Sequence, residues 1–274
     1  FMNVGADFNG DGRIDMVSAS SHIADPTYSY GGIIIYINTG KGTFVPKNIS
    51  RGGFIHGHSI GDLDGDGDME LVSYSNGIDG KFPHQIWVFW NELDRDSPII
   101  LREIDGISNV FREIVKNGAG GTLSTLLLVD LDADGDIDAV TGTFTGNIRF
   151  YKNLKAENGN IGTNDLANNV FELVNEADPF FGISDYVESL YGGRTNYYSL
   201  SFADVDADGD FDLFLCFSKA QVQLALITNC GSPEKAQFVG CNTTLISSDI
   251  TSAGGTVKVI DIDNDGDFDL VVGE

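Results

Sequence analysis

The chain has 274 residues, with 16 basic against 41 acidic side chains and a net charge of −25. So acidic a surface excludes a phosphate-binding, nucleic-acid partner, because such contacts need clustered Lys and Arg. Hydrophobic residues make up 42% of the sequence, enough for a sizeable core, and no run is long or apolar enough to span a bilayer.

A short strand is expected first, closed by a nine-residue acidic loop, Asp7-Phe-Asn9-Gly-Asp11-Gly12-Arg13-Ile-Asp15, and followed by a second strand. The loop recurs four times: Asp62, Asp64, Asp66, Asp68 and Glu70; Asp130, Asp132, Asp134, Asp136 and Asp138; Asp204, Asp206, Asp208, Asp210 and Asp212; Asp261, Asp263, Asp265, Asp267 and Asp269. The first loop holds three acids and each later one five, more than half of all acids in the chain. Such spacing suits Ca²⁺, which takes about 6–8 oxygen ligands at roughly 2.3–2.6 Å. Positions 1, 3 and 5 converge when the chain curls, Gly at position 6 permits the turn, and position 7 supplies its carbonyl. This explains why Arg13 is tolerated there. The acid at position 9 closes the cage, and the apolar positions 2 and 8 are expected to tuck the loop ends into a core. An EF-hand is excluded, since it needs Glu at position 12 and flanking helices. Position 12 here is Ser18, Ser73, Thr141, Leu215 or Val272, and the flanks are short and rich in β-formers. Each loop is thus expected to be the turn of a β-hairpin.

After each hairpin comes a variable loop, then a third, apolar strand: Ile33–Asn38, Gln85–Asn91, Asn147–Asn153 and Gln221–Asn229. Fourth strands are expected to be short, as at Gly42–Val45 and Asn169–Val174. Repeats therefore start near residues 1, 56, 122, 196 and 255, the first acids being 55, 68, 74 and 57 residues apart. Units of this size with four strands each read as a radial array. The expected class is all-β: a β-propeller of four-stranded antiparallel blades, about four and a half in view, forming a single domain over 1–274 or a fragment of a larger ring.

The acidic loop followed by Tyr36-Ile-Asn38-Thr-Gly40-Lys-Gly42-Thr-Phe44 resembles the FG-GAP/VCBS family of calcium-binding propeller repeats, found in integrin α-subunit heads and many secreted proteins. The resemblance covers nearly the whole chain. It implies up to five bound Ca²⁺ ions, a larger ring of about seven blades in the parent protein, an extracellular or cell-surface location, and recognition of a protein or glycan through the face opposite the calcium loops. The loops expected there are long, spanning roughly 19–31, 46–58, 75–84, 104–122 and 175–196.

Four histidines, His22, His56, His58 and His84, fall in or beside those loops and could bind a transition metal or serve in acid–base chemistry. The segment Asp178–Tyr186 with Tyr191 and Arg194 is rich in aromatics, and with Asp178 and Asp185 could contact a sugar or a protein. Cys230 and Cys241 flank the third connection of the fourth repeat and suit a disulfide, whereas Cys216 sits in an apolar strand as a buried filler. Asn48-Ile-Ser50 and Asn242-Thr-Thr244 are glycosylation sequons. No nucleophile elbow, zinc helix or phosphate loop occurs. The functional expectation is a non-catalytic extracellular calcium-binding module for adhesion, assembly or structure. A glycan-binding lectin and a polysaccharide lyase-type enzyme are the alternatives. Asn9 and Arg13 lower the charge of the first loop, which is expected to be the weakest site.

Overall fold

The computed structural model describes residues 3–20, 32–51, 55–75, 85–91, 101–103, 123–143, 146–153, 171–174, 178–192, 196–218, 222–250 and 255–273. These form four four-stranded antiparallel sheets, one two-stranded sheet and one short helix.

The first sheet holds β1 (Asn3–Ala6), β2 (Asp15–Ser20), β3 (Gly32–Asn38) and β4 (Phe44–Arg51) in simple sequential order. The second repeats the plan with β5 (Ile55–Gly61), β6 (Glu70–Ser75), β7 (Gln85–Asn91) and β8 (Leu101–Glu103). The third holds β9 (Leu123–Val129), β10 (Asp138–Thr143), β11 (Ile148–Asn153) and β12 (Phe171–Leu173), and the fourth β13 (Asn196–Ala203), β14 (Asp212–Ser218), β15 (Val222–Ile227) and β16 (Thr243–Ile250). The last hairpin pairs β17 (Thr256–Ile260) with β18 (Asp269–Gly273). In every sheet the acidic loop is the connection between its first two strands. The register places position 9 of the loop at the start of the second strand, as in Ala6↔Asp15 and Ala203↔Asp212.

By its contacts the chain divides into two compact units, Phe1–Ala119 with Asn153–Glu172, and Gly120–Lys152 with Leu173–Glu274. In the first, Phe8, Val17, Ile33 and Ile35 from the first sheet meet Leu71 and Phe89 from the second in one buried cluster. In the second, Val140, Ile148 and Phe150 pack with Leu200, Leu213, Leu215 and Phe217, and a smaller cluster joins Phe214, Cys216 and Leu224 to Val257. The cores follow from alternation: along β15 the buried residues Val222, Leu224, Ala225 and Ile227 are interleaved with half-buried ones. Burial of Cys216 raises its thiol pKa to about 11, so it stays protonated and inert.

Two expectations for the connections need correcting. β4 continues to Arg51, pairing with β3 as far as Gly32↔Arg51, so the stretch read as a loop from 46 is largely strand. The stretch read as a loop over 175–196 contains helix α1 (Ile183–Tyr191). Gly182, at φ 82°, ends the preceding turn, and Ile183 and Val187, one helical turn apart, are buried. Two side chains pin the N-terminal half of the helix. Ser184 donates to the carbonyl of Gly146, and the Tyr186 hydroxyl donates to the carbonyl of Cys241. Cys241 is disulfide-bonded to Cys230, their Cα atoms 5.7 Å apart. Phe180 stacks on Phe238, ring centroids 5.1 Å apart, sealing the helix entry against the same hairpin.

Candidate metal centres

Each acidic loop is shaped by one ring of hydrogen bonds, repeated five times. The position-1 carboxylate accepts from the backbone N–H groups of positions 5 and 6: Asp7 from Asp11 and Gly12, Asp62 from Asp66 and Gly67, Asp130 from Asp134 and Gly135, Asp204 from Asp208 and Gly209, Asp261 from Asp265 and Gly266. The position-5 carboxylate accepts from the N–H of position 7, as Asp134 does from Asp136 at 3.0 Å. Position 9 reaches back to the N–H of position 2. Asp15 accepts from Phe8, Glu70 from Leu63, Asp138 from Leu131, Asp212 from Val205 and Asp269 from Ile262. The other oxygen of position 9 takes the N–H of the asparagine that ends or follows the third strand, Asn38, Asn91 or Asn229.

The turn needs two left-handed residues. Gly at position 6 has φ between 81° and 96° in all five loops, as its constancy suggests. Position 4 is also left-handed, at Gly10, Gly65, Ala133, Ala207 and Asn264. Sequence reading missed that requirement, since Ala gives no signal of it. Position 2 anchors the loop as expected in the first three copies, where Phe8, Leu63 and Leu131 are buried. Position 8 does so only in part: Met69 and Phe211 are half-buried against a core cluster, Ile137 is half-buried, and Ile14 and Phe268 are exposed.

The result is convergence of oxygens. Asp62, Asp64 and Asp66, then Asp130, Asp132 and Asp138, then Asp204, Asp206 and Asp212, and finally Asp261, Asp263 and Asp265 each bring three carboxylate oxygens within 4.8 Å of one another. Such a hard, all-oxygen set suits a hard divalent cation and not a soft one. Oδ1 of Asp132 and Oδ1 of Asp210 are buried without a hydrogen-bond partner, so oxygen donors are available at two of the loops. Asp210 and Asp136, at position 7, are buried as side chains, beyond the backbone role that the sequence suggests. The first loop differs. Among the described residues its acids form no such cluster; instead the Arg13 guanidinium pairs with Asp11 and donates Nε to the carbonyl of Asn38 at 2.8 Å. Asn9 completes the substitution, donating Nδ2 to Asp11.

Crowding of like charges in a desolvated turn disfavours ionisation. Burial lifts Glu70 to about 9, aided by the charges of Asp64 and Asp66. Burial, then the charge of Asp66, lifts Asp64 to about 6. Asp210 rises to about 6 through burial and then the other four acids of its loop. Asp15, Asp130 and Asp212 are also raised, chiefly by burial. In the third loop a lysine intervenes. Lys152 on β11 lies 2.8 Å from Asp132 and 3.1 Å from Asp134, and these partners push its own pKa up.

With this geometry in view, the family comparison is decisive for one segment: residues 7–73 match the family model described as FG-GAP-like repeat. The chain carries an FG-GAP-like repeat. It begins at the first acid of the first loop and runs into β6, so it takes in two acidic loops and the strands between them. No curated protein matches the chain.

Of the other residues singled out from sequence, His22, His84 and Arg194 lie outside the described residues. His56 and His58 stand on β5 and not in a loop, and His58 is buried, 3% exposed. That does not fit a histidine cluster open to solvent. Asp178 is buried, accepts from the N–H of Phe180 at 2.9 Å and faces Arg149 at 3.8 Å; burial lifts its pKa to about 6. Asp185 is exposed on α1. Asn48 lies on β4, the edge of the first sheet, and Asn242 is exposed just before β16. Among the described residues, no helix is long and apolar enough to cross a membrane.

Proposed function

We propose that this chain is a calcium-binding β-propeller segment, each four-stranded sheet being one blade, that serves a non-catalytic role in adhesion, assembly or structure outside the cell. The observation that carries the reading is the repeated convergence of acids in hairpin turns whose hydrogen bonds hold them together against their own repulsion. Asp62, Asp64, Asp66, Asp68 and Glu70 would hold one ion. Asp130, Asp132, Asp134, Asp136 and Asp138 would hold a second, Asp204, Asp206, Asp208, Asp210 and Asp212 a third, and Asp261, Asp263, Asp265, Asp267 and Asp269 a fourth. Asp7, Asn9, Asp11, the Arg13 carbonyl and Asp15 form the poorest candidate, because Arg13 already neutralises part of that loop. A bound Ca²⁺ would supply charge neutralisation and cross-linking of the turn. The protein's part is to aim the oxygens, through the position-1 and position-9 hydrogen bonds, and to fix the loop ends through Phe8, Leu63 and Leu131. Extracellular FG-GAP-type repeats would meet calcium near 10⁻⁴–10⁻³ M, about the range in which extracellular modules bind it.

The test is thermal unfolding in EDTA and in millimolar Ca²⁺, with calorimetric titration of the metal-free chain. Calcium should raise the melting temperature, because it binds the folded state alone. An unchanged curve and no binding heat would refute the reading.

One observation favours a glycan ligand as a second reading. Phe181, 75% exposed, borders an open hollow of about 500 Å³ with Ser232, Lys235 and Gln237. An exposed ring beside polar groups suits stacking on a sugar. A glycan array probed with wild type and Phe181→Ala tests it; no Phe181-dependent binding removes it.

A further inference from the structure

The third and fourth acidic loops are built alike, and both belong to the second compact unit. Each has five acids at the same positions. Each has the same position-1 and position-9 hydrogen bonds to the backbone. One neighbour differs in charge. The residue preceding the asparagine of the third strand is Lys152 in the third repeat and Thr228 in the fourth. Lys152 stands between buried Tyr151 and Asn153, and Thr228 between buried Ile227 and Asn229, so both point to the same side of the chain. Lys152 Nζ reaches Asp132 Oδ2 at 2.8 Å and Asp134 Oδ2 at 3.1 Å, at positions 3 and 5 of the loop. Both partners are largely shielded, with side chains 14% and 22% exposed, so solvent screens these pairs less than a surface bridge. Among the described residues no basic side chain pairs with Asp204, Asp206, Asp208, Asp210 or Asp212. The Thr228 hydroxyl is turned to the carbonyl of Asn242.

We infer that Lys152 is a resident counter-cation of the third loop, holding that loop in its folded shape without metal and lowering its affinity for Ca²⁺ relative to the fourth. The inference rests on the calcium reading above. An ammonium is a compact point charge on a flexible stem, so it can bridge two carboxylates of a turn as a metal ion would. It leaves Asp132 Oδ1 without a hydrogen-bond partner. The loop can therefore still take an ion, but against one positive charge fixed a few ångströms away. The third loop is then a site that stays shaped at low calcium and fills after the fourth. The fourth depends on the ion for neutralisation.

Three forms of the whole chain separate the possibilities: wild type, Lys152→Met, which keeps the apolar stem, and Thr228→Lys, which would transplant the cation. Each is titrated with Ca²⁺ by calorimetry and melted in EDTA and in saturating Ca²⁺. The inference expects Lys152→Met to tighten one site by on the order of tenfold and to lower the melting temperature more in EDTA than in calcium. It expects Thr228→Lys to weaken one site while raising the melting temperature in EDTA. Equal losses for Lys152→Met in both media, with unchanged calcium affinity, would make Lys152 an ordinary packing residue and overturn it. Failure of wild type to respond to calcium at all would instead remove the reading on which it rests. Should Lys152→Met not fold, the Thr228→Lys titration decides alone: no loss of affinity overturns the inference.

Discussion

The side-chain amide of Asn91 donates to the backbone carbonyl of Phe8 at 3.0 Å, tying the end of β7 to the second position of the first acidic loop. Asn153, which groups with the same compact unit, makes the identical bond to the carbonyl of Leu63, the second position of the second loop, at 3.0 Å. Asn91 thus has two tasks. Its own N–H fastens Glu70, position 9 of its own loop, and its side chain fastens the loop of the preceding repeat. Phe8, Leu63, Asn91 and Asn153 are all buried, so neither carbonyl can turn to water instead.

Asn91→Ala should therefore cost about 1–3 kcal/mol, the penalty for leaving a buried acceptor unsatisfied. Chemical denaturation measures it. Asn229 offers the contrast. Its Oδ1 accepts from Gly231 and Gln237, whereas its Nδ2 has no partner. Asn229→Asp keeps the acceptor and should be milder than Asn91→Asp, which removes a used donor.

The crowded carboxylates predict how metal-free stability varies with pH. Glu70 is lifted from 4.5 to about 9, and Asp64 and Asp210 from 3.8 to about 6. Between the ordinary and the raised value, the folded protein holds a proton that the unfolded chain has released. Stability is then present below the ordinary value and lost as pH rises through the raised one. In EDTA the melting temperature should fall steadily from about pH 4.5 to about pH 9. Calcium, which requires the ionised ligands, should abolish or reverse that slope. Parallel curves in the two media would contradict the assignment of these acids to a common metal.

Asp178 gives a separate effect, away from the loops. Its pKa is lifted to about 6 by burial, against the opposing pull of the Phe180 N–H and Arg149. Its contribution is likewise lost as pH rises from about 4 to about 6. Asp178→Asn retains an acceptor for Phe180 and removes the buried charge. The variant should gain on wild type at pH 7 and lose that advantage at pH 4, as melts at the two pH values would reveal.

Much of this architecture was legible in the sequence because a cation site fixes residue types at fixed spacings. The loops, the hairpins around them and the third strands ending in asparagine follow from that pattern. What escaped reading was decided by tertiary packing. The helix Ile183–Tyr191 carries β-branched and aromatic residues with weak helical preference, and it forms because Ile183 and Val187 enter a core and Tyr186 reaches Cys241. The left-handed fourth position tolerates Ala133 and Ala207 because the loop's own hydrogen bonds enforce it. Lys152 reads as an ordinary polar residue in a strand, and only the fold brings it to Asp132. His58, next to glycine in a stretch without clean alternation, reads as loop yet lies buried in β5.

The Cys230–Cys241 disulfide closes the hairpin that receives Phe180 and Tyr186. Cross-linking two residues 11 apart restricts the unfolded chain, an effect worth about 2–3 kcal/mol for so short a loop. A Cys230→Ser/Cys241→Ser variant should lose about that much in denaturant melts.

The fourth loop separates two roles that one motif combines. Asp212 at position 9 accepts the N–H of Val205 at 3.0 Å and of Asn229 at 2.8 Å, so it builds the loop whether or not metal is bound. Asp206 at position 3 is exposed and belongs to the same convergent trio. Asp206→Ala should hold or raise the melting temperature in EDTA, since it relieves like-charge repulsion, while weakening calcium binding at that site by on the order of tenfold or more, as expected for removing one carboxylate ligand. Asp212→Ala should lower the melting temperature in both media, because the half-buried N–H of Val205 and the buried N–H of Asn229 lose their acceptor, the latter at about 1–3 kcal/mol. The pair is informative only together. If both variants melt alike in EDTA, the hydrogen bonds of Asp212 are not what shapes the loop; if both bind calcium like wild type, the oxygens that converge there serve no ion.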